Sequence, residues 1–399
     1  MGNKRYFCLK FKQDKMIKYV LMLLFVAEIG THVFAQDAYM NVEAEDVEKT
    51  YVGTDAYKVK TYTQKFKAKK PKNIILMIGD GMGVAQVFAG ITANHGKLFL
   101  DNCKHIGFSK TQSADDYITD SAAGGTAISC GVKTYNGAIG VNNDTFAVKS
   151  ILEEAEEKGL ATGLVSTSAI THATPASFIA HQPNRGMYEA IAADFLNTDI
   201  DVFIGGGITH FSQRKDKRNL IKELKAKGYQ VELEMDKIAK VKKGKLAGLT
   251  AGIHNGRIAE RGDMLPVATK TALNILDNNN KGFFLMVEGS QIDWGGHANS
   301  TIYIVEEMLD FDQAIGKALD FAAKDGETLI VITADHETGG LTINGGDMST
   351  GMVKGEYTTG NHTAVMVPVF AYGPGAEEFI GIMENTDLHQ KMKKLLLEK

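Results

Sequence analysis

Three short segments that lie far apart in the chain carry histidines, and two of them place a carboxylate close by. The segments are Asp293-Trp-Gly-Gly-His297, Asp335-His336 and Gly360-Asn-His362. Asp80, in Ile78-Gly-Asp-Gly-Met-Gly83, would complete a set of ligands for two metal ions. Because a mixture of carboxylate and imidazole ligands suits zinc, these residues predict a two-metal site.

A serine at a predicted helix start supplies a candidate nucleophile. Ser121 follows Thr119-Asp120 and precedes the small residues Ala-Ala-Gly-Gly-Thr-Ala. The N-terminus of a helix offers N–H groups and the positive end of its dipole to an anion. Taken alone, Asp120 or Ser121 could simply be an N-cap. Beside metal ions, however, an exposed serine indicates nucleophilic hydrolysis, for which phosphate esters are the natural substrate.

Continuous apolar runs predict the strands that must position these residues. The predicted strands are Asn73–Gly79, Thr162–Ser166, Asp201–Ile204, Phe283–Val287, Thr328–Ile332 and, as the last, Val365–Ala371. Helical patterns lie at 84–94, 121–130, 146–158, 216–227, 265–279, 302–323 and, as an amphipathic C-terminal helix, 387–399. The alternation predicts an α/β fold, namely a single doubly wound domain with a mostly parallel central sheet and helices on both faces.

The candidate ligands follow the predicted strands. Asp80, Glu288 and Asp335 each come directly or shortly after an apolar run. Ligands of an open α/β sheet bind at the carboxyl ends of its strands, so these carboxylates are expected to lie near one another. Adjacent Asp335 and His336 can face the same site only from a bent loop, which a strand end provides.

The spacing of the remaining ligands is also consistent with metal binding. Asp293 and His297 are four residues apart, so one helical turn would place both on one face. Gly295 and Gly296 between them would let backbone or metal approach closely. An oxygen-only set, such as Asp80 with Thr174 and Glu288, would suit magnesium.

Other motifs carry less information. The isolated histidines His95, His254 and His389 are expected to be ordinary surface or core residues. The glycines of Gly79-x-Gly81-x-Gly83 do not form a dinucleotide-binding motif, because Val84 or Gln86 stands where the last glycine should be, and the chain has no P-loop.

Composition indicates an ordinary globular protein. The 399 residues are 44% hydrophobic and 23% charged, and the net charge is only −4. We therefore expect no nucleic-acid-binding patch. The lysine-rich region 212–245 is interpreted as a solvated face, with an acidic partner as the alternative. Cys103 and Cys130 could form a disulfide or remain free thiols.

The N-terminus has the pattern of an export signal. Lys15 and Lys18 precede the apolar stretch Tyr19–Ala27, and Val33-Phe-Ala35 matches a cleavage site. We expect residues 1–35 to be a signal peptide and 36–399 the catalytic domain, in a periplasmic or secreted protein with no membrane span in the mature chain. An uncleaved anchor is the alternative, and Met16 is an alternative start. Residues 36–70 are predicted to be loosely attached.

Together these residues resemble the alkaline phosphatase family of metal-dependent phosphomonoesterases. The similarity runs from about Asn73 to Gly375. The matching segments are Gly79-Asp-Gly-Met-Gly83, Thr119-Asp-Ser-Ala122, His172-Ala-Thr-Pro175, Asp201–Gly207, Val287-Glu-Gly289 with Ile292-Asp293, Ala334-Asp-His-Glu337 and His362-Thr363.

The resemblance implies two zinc ions and one magnesium ion, and a role for each candidate residue. The first zinc would be held by Asp293, His297 and His362; the second by Asp80, Asp335, His336 and Ser121; and the magnesium by Asp80, Thr174 and Glu288. Arg185, in Asn184-Arg-Gly186, would grip the phosphoryl group with its planar fork. The implied reaction hydrolyses phosphate monoesters through a phosphoserine on Ser121 and releases inorganic phosphate.

Two positions depart from some members of the family. His172 stands where certain relatives have aspartate, and Trp294 stands where others have lysine or histidine. Both would lie near the metal and phosphate sites, which leaves the identity of the third metal open. The segment between His336 and His362 is too short for a large insertion, so a monomer and a homodimer both remain open.

Two other functions are considered. A phosphodiesterase of the same superfamily would use a similar site, whereas a sulfatase would need a C/S-x-P-x-R motif that Ser121-Ala-Ala-Gly lacks. A non-catalytic metal- or phosphate-binding protein on the same scaffold should lack the nucleophile or a ligand, and neither is missing here.

Overall fold

The computed structural model describes residues 49–53 and 56–398. Its strands are β1 (Thr50–Val52), β2 (Asn73–Gly79), β3 (His105–Lys110), β4 (Ala161–Ala169), β5 (Val202–Gly206), β6 (Gln230–Glu232), β7 (Leu246–Leu249), β8 (Phe283–Gly289), β9 (Thr328–Thr333), β10 (Glu337–Thr338), β11 (Leu341–Asp347), β12 (Met352–Tyr357), β13 (His362–Thr363), β14 (Val367–Tyr372) and β15 (Gly381–Glu384). Its α-helices are α1 (Val84–Ala93), α2 (Ser121–Cys130), α3 (Ile151–Glu157), α4 (Ala173–Ala176), α5 (Tyr188–Asp194), α6 (Ile208–Ser212), α7 (Leu220–Ala226), α8 (Met235–Ile238), α9 (Ile258–Arg261), α10 (Met264–Leu276), α11 (Gln291–His297), α12 (Thr301–Asp325) and α13 (Asn385–Leu396).

A ten-stranded sheet forms the centre of the molecule. Its strand order is β15-β3-β14-β9-β2-β8-β4-β5-β7-β6. Only β14 runs antiparallel to its neighbours, which are β3 and β9, and the other neighbouring pairs of this sheet are parallel. With helices on both faces, this arrangement confirms the predicted doubly wound α/β domain.

The core lies in two layers, one on each face of the sheet. Ile74, Leu76 and Ile78 of β2 point into one layer, together with side chains of α2, α3 and α13. Ile75 and Met77 point into the other, against α10 and α12. Each such side chain contributes roughly 1.5–3 kcal/mol when it is fully buried. Burial on both faces explains why the sequence of β2 is a continuous apolar run rather than an alternating one.

The predicted strands correspond to β2, β4, β5, β8, β9 and β14. The prediction that β14 is the last strand is wrong, because β15 follows it. Strands β3, β6, β7 and β15 were not predicted. They lie toward the two ends of the sheet. Strand β3 alternates exposed with buried residues along most of its length, and β6 and β15 are mostly exposed or half-buried, so these three lack the continuous apolar run of a central strand. Strand β7 is apolar and buried but spans only four residues.

Side-chain caps shorten two of the predicted helices. The pattern at 146–158 becomes α3 because Ser150 caps it: the Ser150 Oγ accepts from Glu153 N, and Glu153 Oε2 accepts from Ser150 N at 2.8 Å. The pattern at 216–227 becomes α7 because Asn219 Oδ1 accepts from Lys222 N at 3.0 Å.

Residues 56–70 are more firmly attached than predicted. The Tyr57 hydroxyl donates to Asp312 Oδ2 of α12 at 2.6 Å, and the Tyr62 hydroxyl donates to Asp320 Oδ1 at 3.0 Å. Tyr62 is only 6% exposed. The prediction of loose attachment is therefore wrong for this part of the segment. The tyrosines contact residues of α12 that lie 255 and 258 residues further along the chain, and no local sequence pattern indicates such a contact.

Three further predictions have different outcomes. Cys103 and Cys130 are both buried free thiols, so the disulfide alternative is wrong for this structure. The expected signal peptide, its cleavage site and residues 36–48 lie outside the described residues. Among the helices that the structure describes, none combines the length and the apolar character needed to cross a bilayer.

Two small antiparallel sheets stand beside the main sheet. Strands β1, β12 and β11 form one of them. The other is the two-residue pair β10–β13, in which Thr338 pairs with His362. This second pairing brings a histidine from a distant part of the sequence to the carboxyl end of β9.

Candidate active site

Three buried carboxylates mark the carboxyl ends of three adjacent strands. Asp80 follows β2, Glu288 is the penultimate residue of β8, and Asp335 comes two residues after the end of β9. In the sheet, Ile78 of the central β2 pairs with Glu288 on one side and with Thr333 on the other. All three side chains are fully buried. The sheet therefore brings together the carboxylates that the sequence placed at strand ends.

The first ligand cluster contains Asp293, His297 and His362. The Nε2 atoms of His297 and His362 are 3.4 and 3.5 Å from Asp293 Oδ1, and they are 3.2 Å from each other. Each of the three residues offers one ligand atom within 4.8 Å of the others. Asp293 and His297 lie on the single helix α11, as their spacing predicted, whereas His362 arrives on β13.

Backbone carbonyls orient the two imidazoles of this cluster. His297 Nδ1 lies 2.8 Å from the Gly360 oxygen, and His362 Nδ1 lies 2.9 Å from the Thr119 oxygen. A carbonyl can only accept, so each Nδ1 carries a proton, and in the neutral ring Nε2 keeps the lone pair. This is the tautomer that a metal ligand needs, and it directs both lone pairs toward Asp293.

The second cluster surrounds His336 and includes the candidate nucleophile. His336 Nε2 lies 3.1 Å from Ser121 Oγ, 3.4 Å from Asp80 Oδ1 and 3.5 Å from Asp335 Oδ2. Thr338 Oγ1 is 3.2 Å from His336 Nδ1 and also donates to Asp293 Oδ1. Thr338 therefore links the two clusters, a role that sequence reasoning missed although the residue stands two positions after His336.

The third cluster contains Asp80, His172 and Glu288. Their ligand atoms also lie within 4.8 Å of one another, and all three side chains are buried. Thr174 lies beside Glu288, whose Oε2 accepts from Ser166 Oγ at 2.6 Å. The structure thus brings together the oxygen set predicted for magnesium, and it adds His172 to that set.

Arg185 contacts the residue that precedes the candidate nucleophile. Its Nη1 donates to Asp120 Oδ2 at 3.0 Å, and its Nη2 is 3.2 Å from His172 Nε2. Asp120 is the N-cap of α2, and its other oxygen accepts from Ala123 N at 2.9 Å. The planar guanidinium is therefore held next to Ser121 by the residue that begins the nucleophile's own helix.

Trp294 forms an aromatic cluster with two histidines. Its ring is 5.0 Å from the ring of His254 and 6.3 Å from the ring of His172, both edge to face. His254 Nδ1 accepts from Ala169 N at 3.1 Å. The sequence predicted Trp294 and His172 to be neighbours of the site. It did not distinguish His254 from other isolated histidines, because the loop that carries His254 has no motif.

The glycines of α11 accommodate backbone rather than an open metal approach. A Cβ on Gly296 would lie 2.8 Å from the Thr338 carbonyl oxygen, and one on Gly295 would lie 2.7 Å from Ile304 N. Either contact is closer than real Cβ atoms allow. Close packing of α11 against the strand pair β10–β13 and against α12 therefore requires glycine, which resolves the alternative that the spacing left open.

Burial, the neighbouring carboxylates and the nearby histidines together determine the pKa values of the buried carboxylates. Burial is the largest cause that raises the pKa of Asp335, to about 7, followed by the charges of Asp293 and Glu288. Burial and the neighbouring carboxylates also raise the pKa of Asp80 well above its ordinary value. Burial opposes the charge of Asp293 as well, but His297, His362 and His336 outweigh it and hold its pKa below the usual range.

The donor set fits bound cations. Within the described residues, both oxygens of Asp80, Oδ2 of Asp335 and Oε1 of Glu288 are buried without a hydrogen-bond partner. Buried carboxylate oxygens normally have partners, and leaving them without one is costly. Burial, followed by the charge of His362, lowers the pKa of His336, which keeps the imidazole neutral as metal binding requires. Several convergent orphan oxygens and neutral imidazoles indicate metal ions.

The chain matches one protein family over most of its length. The sequence model described as alkaline phosphatase matches residues 71–356. Alkaline phosphatase 4 of Bacillus subtilis (strain 168) is 38% identical over 424 residues, which cover 84% of this chain and 92% of the relative. The alkaline phosphatase of Escherichia coli (strain K12) is 33% identical over 407 residues, which cover 82% of this chain and 86% of the relative.

Solved structures agree with the sequence comparisons. The alkaline phosphatase from the Antarctic bacterium TAB5 is 45% identical, with a TM-score of 0.78 over 83% of this chain and 100% of that one. A histidine-to-aspartate variant of the TAB5 enzyme, described with magnesium bound in its M3 site, gives a TM-score of 0.77 over 82% of this chain and 99% of that one.

Proposed function

This chain belongs to the alkaline phosphatase family and is therefore a phosphomonoesterase. From this premise, we propose that its three ligand clusters hold two zinc ions and one magnesium ion. We also propose that Ser121 forms a phosphoserine during turnover. The first zinc belongs to Asp293, His297 and His362, the second to Asp80, Asp335, His336 and Ser121, and the magnesium to Asp80, Thr174 and Glu288. Magnesium is included because a variant of the TAB5 enzyme is described with that ion in its M3 site.

One observation carries this proposal. The Ser121 hydroxyl lies 3.1 Å from His336 Nε2, in a buried pocket where Asp80 and Asp335 present oxygens without hydrogen-bond partners among the described residues. Asp120 is the N-cap of α2, so Ser121 is not needed for that role, and its hydroxyl lies against a candidate metal ligand. The same geometry supports the nucleophilic role.

The chemistry divides between the ions and the side chains of the chain. When bound, the metal ions lower the pKa of the Ser121 hydroxyl and offset negative charge on the phosphoryl and leaving oxygens. Ser121 Oγ attacks phosphorus as the bond to the ester oxygen breaks, which gives phosphoserine and an alcohol. Water then cleaves the Oγ–P bond, restores the serine and releases inorganic phosphate.

Arg185 has a positioning and electrostatic role in both steps. Its two terminal nitrogens, which face Asp120 and His172 here, match two oxygens of a phosphoryl group in spacing and orientation. We infer that the guanidinium binds two equatorial oxygens while Asp120 keeps its plane fixed. A lysine could not reproduce such a two-point contact.

The metal content of single variants tests this assignment. We expect two zinc ions and one magnesium ion per wild-type chain by elemental mass spectrometry. Glu288→Gln should lower only the magnesium, because it neutralises a ligand of the third cluster. His362→Ala should lower the zinc toward one ion, because the first cluster would lose an imidazole.

The control for this experiment is His95→Ala, since His95 lies outside the three clusters and should retain all three ions. Retention of both zinc ions by the His362→Ala protein would contradict the assignment of the first site. Loss of zinc from the Glu288→Gln protein would contradict the separation of the third cluster from the other two.

Export is proposed from the sequence pattern alone. The charge, apolar stretch and cleavage motif of the N-terminus support a signal peptide at 1–35 and a catalytic domain at 36–399, in the periplasm or outside the cell. Expression of the full chain in a bacterium should yield an exported protein whose mass corresponds to a chain that starts at Gln36. A protein that keeps Met1 or Met16 would contradict cleavage.

A further inference from the structure

His181 makes two hydrogen bonds that together define its charge. Its Nδ1 lies 2.7 Å from the Gly140 carbonyl oxygen, and its Nε2 lies 2.9 Å from Glu153 Oε1. Both partners are acceptors when Glu153 is ionised, whereas a neutral imidazole has only one N–H to donate. Both bonds can therefore form together only when the ring is an imidazolium.

The imidazolium connects three parts of the chain. Glu153 belongs to the first turn of α3, where its side chain also accepts from the backbone N–H of Ser150. Gly140 lies in the loop that precedes this helix. The close approach depends on glycine at 140, where φ is +57°. A Cβ at this position would lie 2.1 Å from the Ala180 carbonyl oxygen and 2.8 Å from His181 Nδ1.

The same contact region supports the backbone of Arg185. Ile139 and Gln182 exchange two hydrogen bonds, of 3.0 and 2.8 Å, and Arg185 N donates to the Gly137 oxygen at 2.8 Å. The Tyr135 hydroxyl donates to the Pro183 oxygen at 2.9 Å. The segment 181–185 is therefore docked along residues 135–140, with His181 at one end of the docked stretch and Arg185 at the other.

Two carboxylates face His181. Glu153 comes from α3, and Asp194, at the end of α5, accepts from His181 N at 3.3 Å and from Gln182 Nε2 at 2.7 Å. Burial works against the charge of the ring, but the hydrogen bonds to Glu153 and Gly140 outweigh it and raise the pKa of His181. The imidazolium is thus present at pH values below this raised pKa and is lost as the pH rises through it.

We propose that His181, as an imidazolium, is a positioning residue that holds the segment bearing Arg185 against the loop 137–140. Loss of its proton as the pH rises then loosens the grip of Arg185 on phosphate. The proposal rests on the phosphate-binding role proposed for Arg185. When the ring loses a proton, one of its two acceptors loses a donor, and the end of the docked segment is released. Weaker binding of product phosphate at high pH would favour its release.

The inhibition constant of inorganic phosphate tests this inference on the metal-loaded enzyme. It is measured from pH 6 to pH 10 for wild type, His181→Gln, Arg185→Met and the double variant. At pH 6 we expect His181→Gln to raise the constant by roughly tenfold, which is the lower end of what one charge-assisted hydrogen bond contributes. The inhibition constant of the variant divided by that of wild type should fall toward one at high pH, because the wild-type ring then carries no charge either.

The double variant isolates the connection to Arg185. If His181 acts through Arg185, His181→Gln should add nothing to the phosphate inhibition constant once Arg185 is methionine. Glu153→Gln is a second variant, which keeps an acceptor for His181 but removes the charge that favours the imidazolium. The wild-type ring should lose its proton at a higher pH than the ring of the Glu153→Gln protein, so the inhibition constant of the Glu153→Gln protein should begin to rise at lower pH values than that of wild type. This variant carries the test if His181→Gln does not fold.

The possible results separate two failures. A ratio that stays constant over the pH range, or a His181→Gln effect of the same size in the Arg185→Met protein, would overturn the positioning role and leave the proposed function intact. An Arg185→Met protein that binds phosphate as tightly as wild type would overturn the role of Arg185, and the inference about His181 with it.

Discussion

The Ser121→Ala protein should retain its metal ions and lose nearly all activity. The substitution removes only the hydroxyl that lies 3.1 Å from His336 Nε2, while every imidazole and carboxylate of the three clusters remains. Without Oγ, no ester to phosphorus can form, and hydrolysis must proceed by direct attack of water. We expect kcat/KM for an aryl phosphate monoester to fall by about 10³-fold or more.

Two measurements and one control define this result. Rapid acid quenching with labelled phosphate should trap a phosphoenzyme in wild type but not in the variant, and elemental analysis should give the same metal content for both. The matched control is Ser129→Ala, on the same helix, whose Oγ donates to the Ser177 oxygen and not to the site. It should keep its activity. A normal covalent phosphoenzyme in Ser121→Ala would show that another residue is the nucleophile.

The Asp335→Asn protein should be more stable than wild type when both are free of metal at neutral or alkaline pH. The pKa of Asp335 is raised to about 7, with burial as the largest cause. A carboxyl group whose pKa is raised by folding does not affect the free energy of unfolding while it is protonated in both the folded and the unfolded state. As the pH rises from its unfolded-state pKa to its folded-state pKa, it lowers the free energy of unfolding increasingly. The neutral amide avoids this loss. The difference should reach on the order of 4 kcal/mol near pH 8.

Unfolding by urea in the presence of a chelator, from pH 4 to pH 8, measures this difference. Comparison of two proteins at each pH cancels the titration of the histidines, which they share. With zinc and magnesium restored, the order should reverse, because wild type regains a ligand that the amide replaces poorly. A stability difference that does not change with pH would mean that Asp335 titrates normally without metal.

The core of the sheet could be predicted from the sequence because its strands are buried on both faces. Such strands, β2 and β8 above all, are continuous apolar runs, and a run of this kind has few other stable arrangements. The outer strands β3 and β6 carry exposed or polar residues, and β7 is an apolar run of only four residues, so local sequence does not separate these strands from loops. The antiparallel direction of β14 depends on the path of the chain between β9 and β14, and no local sequence pattern predicts that path.

The candidate ligands could also be found in the sequence, because metal chemistry limits the residue types. Carboxylates at strand ends and the pair Asp293 and His297, one helical turn apart, follow simple geometric rules. His362 has no nearby carboxylate in the sequence, so only its residue type and the family resemblance indicated its role. It reaches the site through the two-residue pairing of β13 with β10, which depends on Thr338.

The sequence by itself therefore determined the fold class, the nucleophile candidate and the set of metal-ligand candidates, since burial and ligand chemistry act on residue types and short spacings. Only the tertiary structure decided how the side chains of these residues are oriented and which other residues hold them in place. The carbonyls of Gly360 and Thr119 set the tautomers of His297 and His362, and His254 packs against Trp294. Likewise, His181 connects Gly140 and Glu153 at the base of the Arg185 segment. These contacts join residues that are distant in sequence, and hydrogen bonds between such residues leave no periodic pattern in the chain.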